Sequence, residues 1–148
     1  PIHLREQFEN QSRDEHWIWR LRMAERIAAS IDPQDFDVKG MYVFGSTKNA
    51  TANACSDIDL LVHVGEDRAR HEKLRYWLEG WNRCLSEMNY LRTGYETHNI
   101  LDVHYVNDED IHLKNDFAAK IGAVSDAARE LAIGVDLKER DNKAIPCR

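Results

Sequence analysis

Three aspartates and a Gly-Ser pair are the residues whose types and spacing could do chemistry in this chain. Asp57 and Asp59 stand two apart at the head of the run DIDLLVHV, residues 57 to 64, and Asp102 lies between Leu101 and Val103 in NILDVHYV, residues 99 to 106. In an extended strand, side chains alternate between faces, so Asp57 and Asp59 point the same way while Ile58, Leu60, Val62 and Val64 form an apolar opposite face. Two carboxylates about 7 Å apart on one face repel each other unless a cation lies between them. Hard divalent ions, Mg²⁺ or Mn²⁺, take oxygen ligands of this kind and leave positions open for substrate phosphates. If the strand carrying Asp102 lies beside the first, three carboxylates could hold two ions about 3.5–4 Å apart, the arrangement used for in-line displacement at phosphorus.

Gly45-Ser46 would supply the other end of such a site. A glycine after a strand lets the backbone turn sharply and approach a ligand closely. A turn opening at Ser46 presents N–H groups and a hydroxyl suited to phosphate oxygens. The small residues of STKNATANAC (46 to 55) fit a connector that must not obstruct a ligand, and Lys48 is a candidate to reach the phosphates or else a solvated lysine. Each feature has a plainer meaning: a D-x-D pair also marks a solvated strand end, Gly-Ser is a common turn, and a lone aspartate suits a strand edge. It is their combination and order that argue for chemistry.

The elements that must position these residues follow from periodicity. Ser12 and Glu15 form a capping-box pair ahead of a helix over 12 to 31, with Trp17, Leu21, Ala24, Ala28 and Ile31 as its stripe and Asp32-Pro33 as its end. VKGMYVF (38 to 44), 57 to 64 and 99 to 106 read as three strands. Between the last two, one long helix or two abutting at Gly80 cover 67 to 91, striped by Leu74, Trp77, Leu78, Trp81, Leu85 and Met88 and closed by Thr93-Gly94. Asn107 would cap a last helical region with Phe117, Ile121, Val124, Ala128 and Leu131 on one face. The fold class expected is α/β (α+β), a small mixed sheet covered by helices, over residues 1 to 134 with a core at 38 to 106 and a loose tail from 135 to 148.

Totals set the bounds. With 148 residues, 43% hydrophobic and 31% charged, the composition is that of one globular domain. The formal charge of −6, with basic residues interleaved among acids, argues against a long nucleic acid as partner. No apolar run approaches a membrane span and the N-terminus lacks a signal peptide's core. Cys55, Cys84 and Cys147, odd in number and without metal-site spacing, suggest reduced thiols in the cytoplasm. A start at Pro1 suggests processing or a piece of a longer polypeptide. His63 should share the face of Asp57 and Asp59, and His104 that of Asp102, as pocket-lining groups or partly exposed strand residues. Cys55 fits a small connector residue better than a redox switch. Trp77 and Trp81 belong to the core. Trp19 falls about 200° from Trp17 around the helix, off the stripe, which offers it to another subunit or a neighbouring domain unless it is simply an exposed aromatic.

FGS, ten residues, DIDLLV and the later LDV together resemble the signature of the DNA polymerase β-type nucleotidyltransferase superfamily, with a size close to its minimal members. FGSTKNATANACSDIDLLVH and WLEGWNRCLSEMNYLRTG are also similar to nucleotidyltransferase modules attached to phosphoenolpyruvate-synthase-like proteins. The resemblance implies transfer of a nucleoside monophosphate from a nucleoside triphosphate such as ATP to an acceptor, with pyrophosphate released. It implies Asp57 and Asp59 as ligands of both metals, Asp102 as a ligand of the metal nearer the acceptor and as proton acceptor, and Gly45-Ser46 as holders of the β- and γ-phosphates. Many minimal members carry an arginine soon after Gly-Ser, where this chain has only Lys48. The acceptor stays open among a small molecule, a protein hydroxyl and, less favoured by the acidity, an RNA end. Two rival readings are a non-catalytic Mg-nucleotide-binding regulatory or antitoxin-like module and a purely structural domain.

Overall fold

The computed structural model describes residues 14–137, together with Ile145 and Cys147. Ser12, and so the expected capping box, lies outside the described residues, as does most of the tail. Helix α1 (Asp14–Ser30) leads to strand β1 (Val38–Phe44), a single helical turn α2 (Gly45–Lys48), strand β2 (Ile58–Val64), the long helix α3 (Arg68–Thr93) and strand β3 (Leu101–Val106). Helix α4 (Asp108–Leu113), a 3₁₀ turn (Asp116–Lys120) and strand β4 (Arg129–Leu131) complete the order. No helix among the described residues is long and apolar enough to cross a membrane.

The four strands form one mixed sheet in the order β3-β2-β1-β4. β1 runs antiparallel to β2 and to β4, and β2 and β3 are parallel, joined by a crossover through α3. Alternation sorts the two faces as the sequence implies. Ile58, Leu60, Val62 and Val64 of β2 join Met41 and Val43 of β1 in the main core, under Ala24, Ile27 and Ala28 of α1 and Leu74, Leu78 and Leu85 of α3. On the other face, Phe44, Leu61 and Val106 form a smaller cluster with Ala118 of the 3₁₀ turn. Asp59 and Asp102 belong to that second face.

Helix α3 begins at its Asp67 cap, whose side chain accepts a hydrogen bond from the Arg70 amide, and ends at Gly94 in the left-handed conformation with φ +76. It passes unbroken through Gly80, which lies exposed with nothing within 4 Å of the place a Cβ would take. Trp77 and Trp81 pack edge to face at 6.0 Å, and Trp77 meets Phe36 at 5.2 Å, as core residues.

Two expectations are overturned. Trp19 is 7% exposed and belongs to the main core. Its ring lies 4.7 Å from the Arg20 guanidinium and 5.4 Å from that of Arg92 at the end of α3, so its partner is this chain's own helix. The long final helix is also absent. Asn107 does make a capping box with Asp110, but α4 stops after six residues at Lys114, φ +53. Positive φ recurs at Asp116, Gly122 and Asp126, which interrupts any continuous α-helix through this segment. Val124 of the expected stripe is fully exposed, while Leu131 is buried at 5% in β4, where Met41 is its partner across the ladder. Pairing with the free edge of β1 gives this segment's backbone groups partners that a short, glycine-interrupted helix could not.

Candidate active site

Register brings the acidic residues together. Across the parallel β2–β3 pair, Asp59 is opposite Asp102, and the Ile58 amide donates to the Ile100 carbonyl at 2.7 Å, locking the heads of both strands side by side. Asp57 lies one residue before β2, at the mouth of the 49 to 57 connector. Its carbonyl accepts a 3.4 Å hydrogen bond from the Thr47 hydroxyl, which ties it to the turn after β1.

The cost of this crowding appears in the titration of the acids. Asp59 is pushed up to about 6, first by burial, then by the charge of Asp102 and a hydrogen bond shared with it, and by Asp57. Asp57, open to solvent on one side, is pushed up by its water-poor side and by Asp102, with Arg20 pulling the other way. Asp102 is half exposed and lies 3.2 Å from His104 Nε2. That imidazole stacks on Phe117 with ring centres 3.9 Å apart. Three carboxylates opposed only by Arg20 and His104 suit a cation, and an all-carboxylate donor set suits a hard divalent ion. Among the described residues no three His, Cys, Asp or Glu side chains already converge as a cage. Holding an ion there would need the carboxylates to turn toward it.

Gly45, just past the end of β1, lies against this group. It follows Phe44, the ladder partner of Asp59, and has φ +67. A Cβ at Gly45 would collide with the Asp59 carboxylate, so only glycine allows the turn to pass over the acid. Ser46 follows it as the second residue of the helical turn α2. Lys48 is engaged with the segment ahead of β4: its ammonium donates to Asp126 Oδ1 at 3.0 Å and to the Ala127 carbonyl at 2.8 Å. His63 pairs with Asp108 at 2.7 Å and shares that carboxylate with Lys39. Cys55 is an exposed free thiol in the connector, as are Cys84 and Cys147 elsewhere.

The sequence reading passed over two features of the frame. Arg20 has no exposed surface, yet its guanidinium donates to the carbonyls of Ser56, His16 and Ala54 and to Asn89 Oδ1. Burial holds its pKa down to about 10, so it stays charged at neutral pH. Asn82, Ser86, Asn89 and Thr93 form a buried polar row along α3. Asn82 accepts from the Leu101 amide at 3.0 Å and donates to the His98 carbonyl at 3.2 Å, while Ser86 accepts from the Ile100 amide at 3.3 Å. The signal for both was periodicity. Arg20 stands four residues before Ala24 and eight before Ala28, on the apolar side of α1, where a charge must find buried partners.

Comparison with protein families matches the chain to the nucleotidyltransferase domain over residues 21–121. No curated protein and no solved structure matches significantly. The matched span runs from the middle of α1 through the Gly-Ser turn and all three acids to the end of the 3₁₀ turn. The chain thus belongs to the nucleotidyltransferase domain family, whose chemistry is nucleotidyl transfer.

Proposed function

We propose that this chain is a metal-dependent nucleotidyltransferase that moves a nucleoside monophosphate from a nucleoside triphosphate to a hydroxyl on a small molecule or a protein, releasing pyrophosphate. One observation carries the proposal: β2 and β3 set Asp59 against Asp102, with Asp57 on the same side, and no ion pair among the described residues engages Asp57 or Asp59.

In this reading Asp57, Asp59 and Asp102 are the ligands of Mg²⁺ or Mn²⁺. With the carboxylates turned toward them, bound ions would offset the charge that grows on the phosphate oxygens. The acceptor oxygen forms a bond to the α-phosphorus as the bond from that phosphorus to the bridging oxygen breaks. Pyrophosphate leaves with the electron pair, and the acceptor's proton passes to the Asp102 carboxylate, the most open of the acids on β2 and β3. Gly45 and Ser46 hold the β- and γ-phosphates, Gly45 at the sharp turn, φ +67, that sets its backbone beside Asp59. Lys48 adds to this only if a nucleotide draws it from Asp126.

The test is incubation of the protein with each α-labelled triphosphate, Mg²⁺ or Mn²⁺, and a cell extract. Label should pass to an acceptor in the parent and not in Asp57→Asn or Asp102→Asn. Nucleotide binding without transfer would instead favour a regulatory or antitoxin-like module. Neither binding nor transfer would leave a scaffold.

A further inference from the structure

The acid at position 57 stands outside regular structure, and something must fix it. The connector from 49 to 57 has no strand or helix of its own, and Asp57 reaches the site from its last residue. Local bonds fold it only in part: Ser56 Oγ accepts from the Asn53 amide at 2.8 Å, and Asn53 Oδ1 accepts from the Cys55 amide at 2.8 Å. Asn49 Nδ2 donates to Asp126 Oδ1 at 3.3 Å at one end of the connector and the Thr47 hydroxyl holds the Asp57 carbonyl at the other, while the long-range anchors of residues 54–56 come from two buried side chains. Arg20 Nε donates to the Ser56 carbonyl at 3.0 Å, and Arg20 Nη2 reaches the Ala54 carbonyl at 3.4 Å. Asn89 Nδ2 donates to the same Ala54 carbonyl at 3.1 Å, and Asn89 Oδ1 accepts from Arg20 Nη2 at 2.7 Å.

We infer that Arg20 and Asn89 are positioning residues that hold the 54 to 56 backbone so that Asp57 faces Asp59 and Asp102. A buried guanidinium needs a reason, because desolvating it is costly unless every donor is used. Here it supplies a planar fork to three carbonyls and one amide oxygen while stacked on Trp19, a geometry that a lysine ammonium cannot copy. The same charge sits close enough to Asp57 to oppose its neighbours' repulsion. The Asn89 amide also donates to the Tyr95 carbonyl at 3.2 Å, so one side chain joins the connector to the loop that leads into β3. The clamp therefore relates the segment before Asp57 to the segment before Asp102 through one helix, α3.

This inference rests on the nucleotidyltransferase reading for its purpose but not for its test. Arg20→Lys and the milder Asn89→Ala, which leaves the arginine stacked on Trp19, are compared with the parent by amide hydrogen exchange, by Mn²⁺ titration followed by electron paramagnetic resonance, and by turnover. In a folded variant, exchange at residues 53–57 should rise at least tenfold while β2 and β3 amides stay within threefold of the parent. The Mn²⁺ midpoint should rise at least tenfold and kcat should fall by more than that, with a smaller change in KM for the triphosphate. Parental exchange at 53–57 in either folded variant would overturn the clamp. So would faster exchange combined with unchanged Mn²⁺ affinity and turnover. A parent that neither binds Mn²⁺ nor transfers label would defeat the proposed function instead, with the exchange experiment still deciding whether the clamp exists.

Discussion

Replacing Asp59 by asparagine should make the metal-free protein more stable while removing its activity. A carboxyl titrates near 3.9 in an unfolded chain, whereas Asp59 is pushed up to about 6 in the folded one. Between these values the folded state binds the extra proton, so this group's contribution to stability falls as pH rises from about 4 through about 6. At 1.36 kcal/mol per tenfold change in proton affinity, the full effect is about 3 kcal/mol. Asp59 is only half withdrawn from water, and screening reduces this to about 1–1.5 kcal/mol. Asparagine is nearly isosteric, carries no charge, and can still donate a hydrogen bond to the Asp102 carboxylate. With chelator present, Asp59→Asn should melt about 3 °C above the parent at pH 7.5 for a chain of this size. The two should converge as pH falls to about 3, where the parent's carboxyl is protonated in both states. Comparing the pair isolates this residue from Asp108 and Asp126, whose lysine partners lower their pKa values and give the opposite slope. Millimolar Mg²⁺ with nucleotide should then stabilise the parent by about 2.7 kcal/mol at a hundredfold excess over Kd and leave the variant nearly unmoved. A variant less stable than the parent at pH 7.5, or a gap that does not close with acid, would refute the crowding of carboxylates on which the site is argued.

Two further substitutions probe the frame. Gly45→Ala should destabilise by at least about 2 kcal/mol, from the left-handed backbone at φ +67 and the collision with Asp59, and urea denaturation would measure it; a loss below 0.5 kcal/mol would show that the turn can relax away from the acid. Asn107→Ala removes the capping box of α4 and should cost about 1 kcal/mol. Unchanged stability in thermal melts would mean that the turn after β3 is held by the sheet rather than by its cap.

Much of this molecule was legible because its logic is local. The runs 38 to 44 and 57 to 64 are dense in β-formers, and alternation in the second, broken at Leu61, separates an apolar face from the one that carries the acids without reference to anything distant. The meeting of Asp59 and Asp102 required only that two consecutive strands be parallel neighbours, the usual result of a strand-helix-strand crossover. What stayed hidden depends on contacts far apart in sequence. Trp19 is off the stripe that runs through Trp17, and nothing near it shows that Arg92 will come to lie over its ring. Arg20 reads as one charge among many until α3 and the connector close around it. β4 is three residues long, too short to show a period, and its Leu131 happens to fall at helical spacing from Ala128. There the edge of β1 decides the structure, and the edge is a property of the assembled sheet.

The polar row on α3 grips main chain, and this sets what evolution can change. Asn82 and Ser86 bind the amides and carbonyl of residues 98, 100 and 101, and Asn89 with Arg20 binds the carbonyls of 54 and 56. Peptide groups are the same whatever residue bears them, so substitutions at Ala54 or His98 leave these anchorages in place. Side chains on these two loops can therefore change while the backbone leading into Asp57 and Asp102 keeps its place.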